Sequence, residues 1–413
     1  MTRAWPRLGI LIALSPLGGM ATAAEEDAAL FDAVWETVAE SFYDSGLHGV
    51  DWPALRRIYR PLVLEADGED EVRALLLEML AELRASHTTI LDESVHRAMM
   101  RELLDRPGPT FGTVLEESLP GRLFVRATYE GGPASEVGLV LGDRVVTIDG
   151  VPALESPALV DAGYDPGLPG PRLFFLDASG HDALRLTIQS TPDADDRRDV
   201  VVRTESMTAV DAARRSVRVV ERDGVRVGTL HLWFCSRGVT DVLREAVRGP
   251  LADCDVLVLD VRGRGGFADV VGELLDVFRG EGGIVRRLRG RGRRPPEWDK
   301  PLVVLTDDRS RSAKELFAYR VRESGLGRLV GQRTEGAVLG AMFHRLPDGS
   351  VLELAGLAVP IDGVVLEGNG VPPHHEVDFV VPYAGGVDPI FEKGCEVAVE
   401  LVAGERRRAT GSF

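Results

Sequence analysis

A chain of 413 residues is longer than one folded unit usually grows, so two or three are expected. A hydrophobic content of 44% excludes wholesale disorder. A formal net charge of −17 excludes a general nucleic-acid binder, which needs a positive face for phosphate.

Residues 1–24 read as a cleaved signal peptide. Arg3 and Arg7 precede an apolar stretch from Leu8 to Met20; the small residues Ala21-Thr22-Ala23-Ala24 follow, then acidic Glu25-Glu26-Asp27. No cysteine marks a lipid anchor there, and no second run of about 18 apolar residues follows. The mature chain is therefore expected to be periplasmic or secreted, without a stable membrane span. Residues 25–106 read helical. Phe31, Val34, Trp35, Val38 and Phe42 form one stripe at helical spacing, and Leu75, Leu76, Met79, Leu80 and Leu83 another.

Residues 107–205 change to short strands. Thr113-Val114-Leu115 and Leu123-Phe124-Val125 pair around Pro120-Gly121. A short helix starts at Pro133, and the strand after Gly142-Asp143 runs into the turn Asp149-Gly150. Another strand covers Ala183 to Ile188, Asp193 to Asp199 forms an acidic loop, and the unit closes near Arg203. This order resembles PDZ domains embedded in processing peptidases. The resemblance implies a groove that takes an extended peptide by strand addition and captures its free C-terminal carboxylate, with Phe111-Gly112-Thr113 as the carboxylate loop.

Over residues 206–405 strands and helices alternate: strands Gly228–Phe234, Asp255–Asp260 and Leu302–Thr306, helices Val239–Arg248, Ala268–Arg279 and Ser312–Ser324. The alternation predicts an α/β core on a largely parallel sheet, with chemistry beyond the C-terminal strand ends. The basic run Arg286, Arg287, Arg289, Arg291, Arg293 and Arg294 reads as a solvated loop. Cys235, Cys254 and Cys395 read as buried thiols, with neither a disulfide framework nor metal-ligand spacing. His374-His375 lacks the spacing of a metal pair.

Two strand ends carry candidate chemistry. Ser312 sits between a buried strand and a helix, where the helix dipole favours negative charge; a helix N-cap is the competing use of such a serine. The neighbouring strand ends in Gly263-Arg264-Gly265-Gly266, whose backbone can approach a substrate closely. Amides of Gly265, Gly266 and Ala313 would form an oxyanion hole. A phosphate cradle is the rival use, but no Lys-Ser/Thr pair follows the glycines.

Asp260-x-Arg262-x-x-Gly265-Gly266, Ser310-x-Ser312-Ala313-x-Glu315-Leu316-Phe317-Ala318 and Thr334-Glu335-Gly336 resemble the S41-type tail-specific, or C-terminal processing, serine peptidases. The resemblance implies a multidomain α/β chain: a helical N-terminal region, a PDZ-like β-rich domain and a ClpP/crotonase-like peptidase core. It implies Ser312 as nucleophile and no cofactor. Ala337 stands where the Ser-Lys branch keeps its base, and Lys300, Lys314 and Lys393 are the only lysines. Lys314, two residues beyond Ser312 on a helix, does not face it; all three are expected to tolerate replacement by arginine. Ser86-His87-Thr88 and Glu367-x-x-Gly370-Val371-x-Pro373 instead resemble the tricorn-core branch. That implies His87 as base, Glu367 as its orienting acid and Ser86 as an assistant. An unperturbed histidine places the acidic limb of activity near ~6.5, and Glu367 is expected to raise it. The implied activity is peptide-bond hydrolysis through an acyl-enzyme. The rival is a non-catalytic peptide- or ligand-binding module on the same fold.

Overall fold

The computed structural model describes residues 22–410 except 164, 167, 169, 194, 281–294, 360 and 362. The leader up to Ala21 and the basic run at 286–294 lie outside the described residues.

Helices α1 (Ala23–Ser41), α2 (Trp52–Glu65) and α3 (Glu69–Ala81) open the chain. Thr22 and Asp51 cap the first two by accepting the amides of Glu25 and Ala54. Both apolar stripes turn inward, burying Phe31, Val34, Val38, Leu76, Met79 and Leu80. Their partners come from far along the chain: Leu339, Leu346, Leu352, Leu354 and Ala355 complete this core. The region is not helical throughout. A strand, β1 (Thr89–Leu91), pairs antiparallel with residues 351–353, which fixes the segment just ahead of it; α4 (Glu93–Leu103) follows.

The middle of the chain is β-rich: β2 (Gly108–Thr110), β3 (Thr113–Leu119), β4 (Arg122–Thr128), the short helix α5 (Pro133–Glu136), β5 (Arg144–Ile148), β6 (Val151–Pro152), β7 (Leu159–Asp161), β8 (Leu173–Leu176), β9 (Ala183–Gln189), β10 (Arg197–Arg203) and β11 (Glu205–Met207). The main sheet runs β10-β9-β5-β4-β3-β8-β7, and β11 pairs with β2. Alternate residues such as Leu115, Val125, Val145, Leu186 and Ile188 turn to one core.

The edge of β3 is not open. Strand β8 takes it, with Leu115 opposite Phe174 and Glu116 opposite Leu173, and Glu117 N–H donates to Arg172 O at 3.0 Å. This edge of β3 is thus filled along Leu115–Glu117 by the protein's own hairpin. Gly112 N–H, expected to face a carboxylate, donates instead to Thr110 Oγ1 at 3.0 Å. The sequence hid this hairpin because Pro and Gly punctuate the loop between its strands and both strands are short.

The C-terminal half begins with α6 (Ala209–Arg215), β12 (Arg218–Arg222), β13 (Val225–His231), α7 (Val239–Arg248), β14 (Val256–Asp260), α8 (Ala268–Arg279), β15 (Leu302–Thr306) and α9 (Ala313–Glu323). It continues with β16 (Arg328–Gly331), the hairpin β17 (Gly340–Arg345) and β18 (Val351–Leu357), β19 (His375–Glu376) and α10 (Pro389–Thr410). The sheet runs β12-β13-β14-β15-β16-β19 and is parallel apart from the β12–β13 pair. Every residue of β14 and β15 is buried, because both faces are covered. Leu257, Leu259, Leu302 and Val304 meet α7, α8 and α9, whereas Val256, Val258, Val303 and Leu305 meet α10. All three cysteines are buried free thiols. Among the described residues no helix is long and apolar enough to cross a membrane.

Candidate active site

Ser312 ends the loop that leaves β15 and starts α9. Its backbone stands at φ 55° and ψ −124°, which a non-glycine residue holds only when its surroundings impose it. Ser312 N–H donates to Ala337 O at 2.8 Å and to the Glu315 carboxylate at 3.2 Å, while Glu315 N–H donates back to Ser312 O at 2.9 Å. Glu315 also accepts Thr334 Oγ1 at 2.5 Å and the amides of Gly336 and Ala337, each at 2.7 Å. One buried carboxylate thus joins the serine turn to the turn after β16. Its burial pushes it up to about 7.

The glycine loop after β14 lies against this serine. Gly263 N–H donates to Asp307 at 3.0 Å, and Gly265 O accepts Cys235 N–H at 2.9 Å. A Cβ on Gly265 would stand 2.6 Å from Ser312 Cβ and 3.3 Å from Ala313 N. Gly265 is therefore required for space. The amides of Gly265 and Ala313 have no acceptor among the described residues. Gly265→Ala is expected to push Ser312 out of place, slowing its reaction with a fluorophosphonate probe about 100-fold. Denaturant melts should show a stability loss of about 1–3 kcal/mol from overpacking. An undiminished labelling rate would separate this loop from the chemistry.

His87 is buried and, like Ser312, at positive φ, 54°. Its Nδ1 lies 3.0 Å from Ser86 Oγ, and Ser86 Oγ lies 3.0 Å from Glu367 Oε2. Ser86 Oγ donates its one proton to Glu367 Oε2, so it accepts from His87 Nδ1–H. That assigns the tautomer: Nε2 carries the free lone pair. Glu367 also accepts Ser86 N–H and Val338 N–H, both at 2.9 Å. It reaches His87 through Ser86, a more indirect route than a direct orienting bond.

The two halves meet through consecutive residues. Ala337 O holds the Ser312 amide, and the next amide, Val338, holds Glu367. The pairing of β1 with β18 brings Ser86 and His87 to this point. Ser86, His87, Glu367, Ser312, Ala313 and Gly265 are thus linked, and Gly266 pairs with Cys235 beside them. Phe111, Gly112 and Thr113 are elsewhere. They line a cavity of about 1280 Å³ between α4, the β-rich sheet and β13, which reaches the glycine loop at Gly263 and Arg264.

Lys314 is fully buried and points away from Ser312 chemistry. Its Nζ donates to Trp233 O at 2.9 Å and Arg262 O at 2.6 Å, bracing the glycine loop from behind. Burial pushes it down to about 8. Here the expectation that every lysine tolerates arginine fails, because a larger head must enter a closed space. Loss of activity in Lys314→Arg would therefore not identify a Ser-Lys pair. Lys300 bonds the carbonyls of Ala252 and Cys254, and Lys393 pairs with Glu396.

Sequence reasoning did not assign roles to Glu315, Asp307, Arg311 or Asp165. Glu315 had a signal, since a glutamate three residues after a helix-capping serine is a capping-box pattern. Asp307 accepts Gly263 N–H, Ser310 Oγ and the Arg126 guanidinium of β4, so it ties three segments together.

Residues 226–377 match the model of peptidase family S41, and residues 23–81 match the tricorn protease C1 domain. The carboxyl-terminal-processing protease of Picosynechococcus sp. is 25% identical over 387 residues, covering 90% of this chain and 85% of that protein. Tricorn protease homolog 1 of Streptomyces coelicolor is 26% identical over 393 residues, covering 90% of this chain and 35% of the relative. The chain therefore spans about a third of the tricorn homologues' length and most of the processing protease's. The photosystem II D1 C-terminal processing protease shares the fold, with a TM-score of 0.53 and 21% identity over 92% of this chain and 98% of that one. These matches place the molecule among the serine-type peptidases. Residues 226–377 are its peptidase family S41 region.

Proposed function

We propose that this chain is an exported endopeptidase that hydrolyses protein or peptide substrates through an acyl-enzyme on Ser312. The observation that carries the reading is the continuous chain Glu367–Ser86–His87, anchored one residue from the carbonyl that holds Ser312. His87 Nε2 takes the proton of Ser312 Oγ as that oxygen attacks the scissile carbonyl, and the imidazolium then gives it to the leaving amine. Water attacks the ester in a second round and releases the carboxylic acid. Ser86 and Glu367 keep Nδ1 protonated throughout. Amides of Ala313 and the Gly265-Gly266 turn receive the developing oxyanion.

The β-rich unit at 107–205 is read as PDZ-like, and its contribution to docking is the cavity wall rather than an open edge. A space of about 1280 Å³ suits several residues of an extended peptide. Thr113 Oγ1 and His231 Nε2, both buried and without a partner among the described residues, line it as polar contacts. The N-terminal leader supports export.

Incubation of the purified protein with a fluorophosphonate should give one covalent adduct, mapped by peptide mass spectrometry to Ser312. An unlabelled wild-type protein would hand first place to the binding-module reading.

A further inference from the structure

The loop between β7 and β8 leaves the β-rich sheet and enters the candidate active site. Gly163 packs on Leu91 of β1, Ala162 O accepts a bond from Arg264 of the glycine loop, and Gly170 packs on Arg309. At its centre Asp165 is 5% exposed. A carboxylate so far from water is stable only when charge and hydrogen bonds replace its hydration. Thr88 N–H donates to it at 3.0 Å, the His87 amide faces it, and Arg311 Nη2 donates to its other oxygen at 2.5 Å. These partners adjoin or form the two parts of the proposed machinery. Thr88 follows His87, and Arg311 precedes Ser312.

We propose that Asp165 is a positioning residue for the S41 reaction, a carboxylate lent by the β-rich unit that holds the His87 backbone and the Ser312 turn in register. The inference rests on the assignment of Ser312 and His87 above. His87 and Ser312 both stand at positive φ, and such conformations persist only where several contacts over-determine them. Ser312 has Ala337 and Glu315 on one side; Asp165 supplies the other side through Arg311 and holds His87 by its own and its neighbour's amide. The surrounding charges are Arg264, Glu335 and Glu353, of which Glu335 lies 3.4 Å from Arg311. Although burial opposes its ionisation, Arg311 and the amide donors hold Asp165 below the ordinary carboxylate range.

The test uses the full-length protein. Rates of fluorophosphonate labelling are measured alongside the imidazole Nδ1–H proton signal of His87 in ¹⁵N-histidine-labelled protein, assigned by its loss in Ser86→Ala. Asp165→Asn keeps the shape and removes the charge. It should label about 100-fold more slowly, the cost of a misplaced reacting group, and lose the Nδ1–H signal. Asp161→Asn, which breaks the Arg172 pair on the same hairpin, should leave both unchanged. A folded Asp165→Asn protein with wild-type rate and signal overturns the inference. So does slow labelling with the signal intact, or equal slowing in Asp161→Asn. If Asp165→Asn does not fold, Arg311→Lys takes its place, keeping charge but losing the fork. About tenfold slower labelling with a weakened signal supports the proposal, and wild-type behaviour overturns it. Absence of labelling in the wild type would instead mean that the Ser312 assignment itself has failed.

Discussion

Ser312→Ala keeps its melting temperature and loses about 10⁶-fold in peptide hydrolysis, the scale on which a serine enzyme loses its nucleophile. The fold should not notice the change. Ser312 is held by its own backbone, through Ala337 O and the Glu315 carboxylate, and alanine keeps both bonds. Removing the hydroxyl therefore takes away chemistry and leaves structure. Hydrolysis of a casein-type substrate, followed with thermal melts of both proteins, checks this. Wild-type hydrolysis in a normally folded Ser312→Ala protein would remove Ser312 from the mechanism.

The second large effect concerns His87 and pH. His87→Ala should cost about as much as losing the serine, since nucleophile and base act as a unit. The pH profile should differ from that of an ordinary histidine. Burial first, and then the Arg311 charge, push His87 down to about 3. The folded protein thus keeps a neutral, proton-accepting imidazole well into acid. The acidic limb of kcat/KM should have its midpoint at least about one pH unit below 6.5, not near or above it. Linkage carries a matching cost. The unfolded chain protonates this histidine near ~6.5 and the folded chain only near its lowered value. The stability gained from a neutral His87 is complete above that upper value and falls away as pH drops through the window between the two. Profiles of kcat/KM and of melting temperature from pH 4 to 8 test both statements, and a midpoint at or above 6.5 would overturn them.

Much of this was legible in the chain itself, for identifiable reasons. The helix at Ala268–Arg279 and the strand at Leu302–Thr306 match their predicted bounds, because Gly266 and Gly280 punctuate the helix and a continuous apolar run marks the strand. The three cysteines announced their burial by their scarcity. The strand predicted at Gly228–Phe234 begins earlier, at Val225, since pairing with β12 extends it beyond its apolar run. Long-range partnerships were not legible. Nothing near Leu352 says that it completes a core with Phe31, and nothing near Asp165 says that its carboxylate will meet Arg311. The indirect route from Glu367 to His87 was equally hidden, because a serine beside a histidine has no sequence mark for which neighbour takes its proton.

Strand β8 beside β3 makes docking a matter of exchange. A peptide that adds to β3 along Leu115–Glu117 can do so only after β8 has let go. The segment that lets go continues backward into the loop bearing Asp165, whose partners stand beside His87 and Ser312. Occupant and hairpin are therefore competitors for one place, and whatever free energy the edge gives an incoming strand is reduced by what the hairpin forfeits. Thermodynamic reciprocity then applies. If such a guest loosens Asp165 from its partners, an acyl-enzyme analogue that tightens those partners must expel the guest by the same factor. Antagonism of this kind, in place of the cooperation that an open edge would allow, follows from one strand sitting where a ligand would.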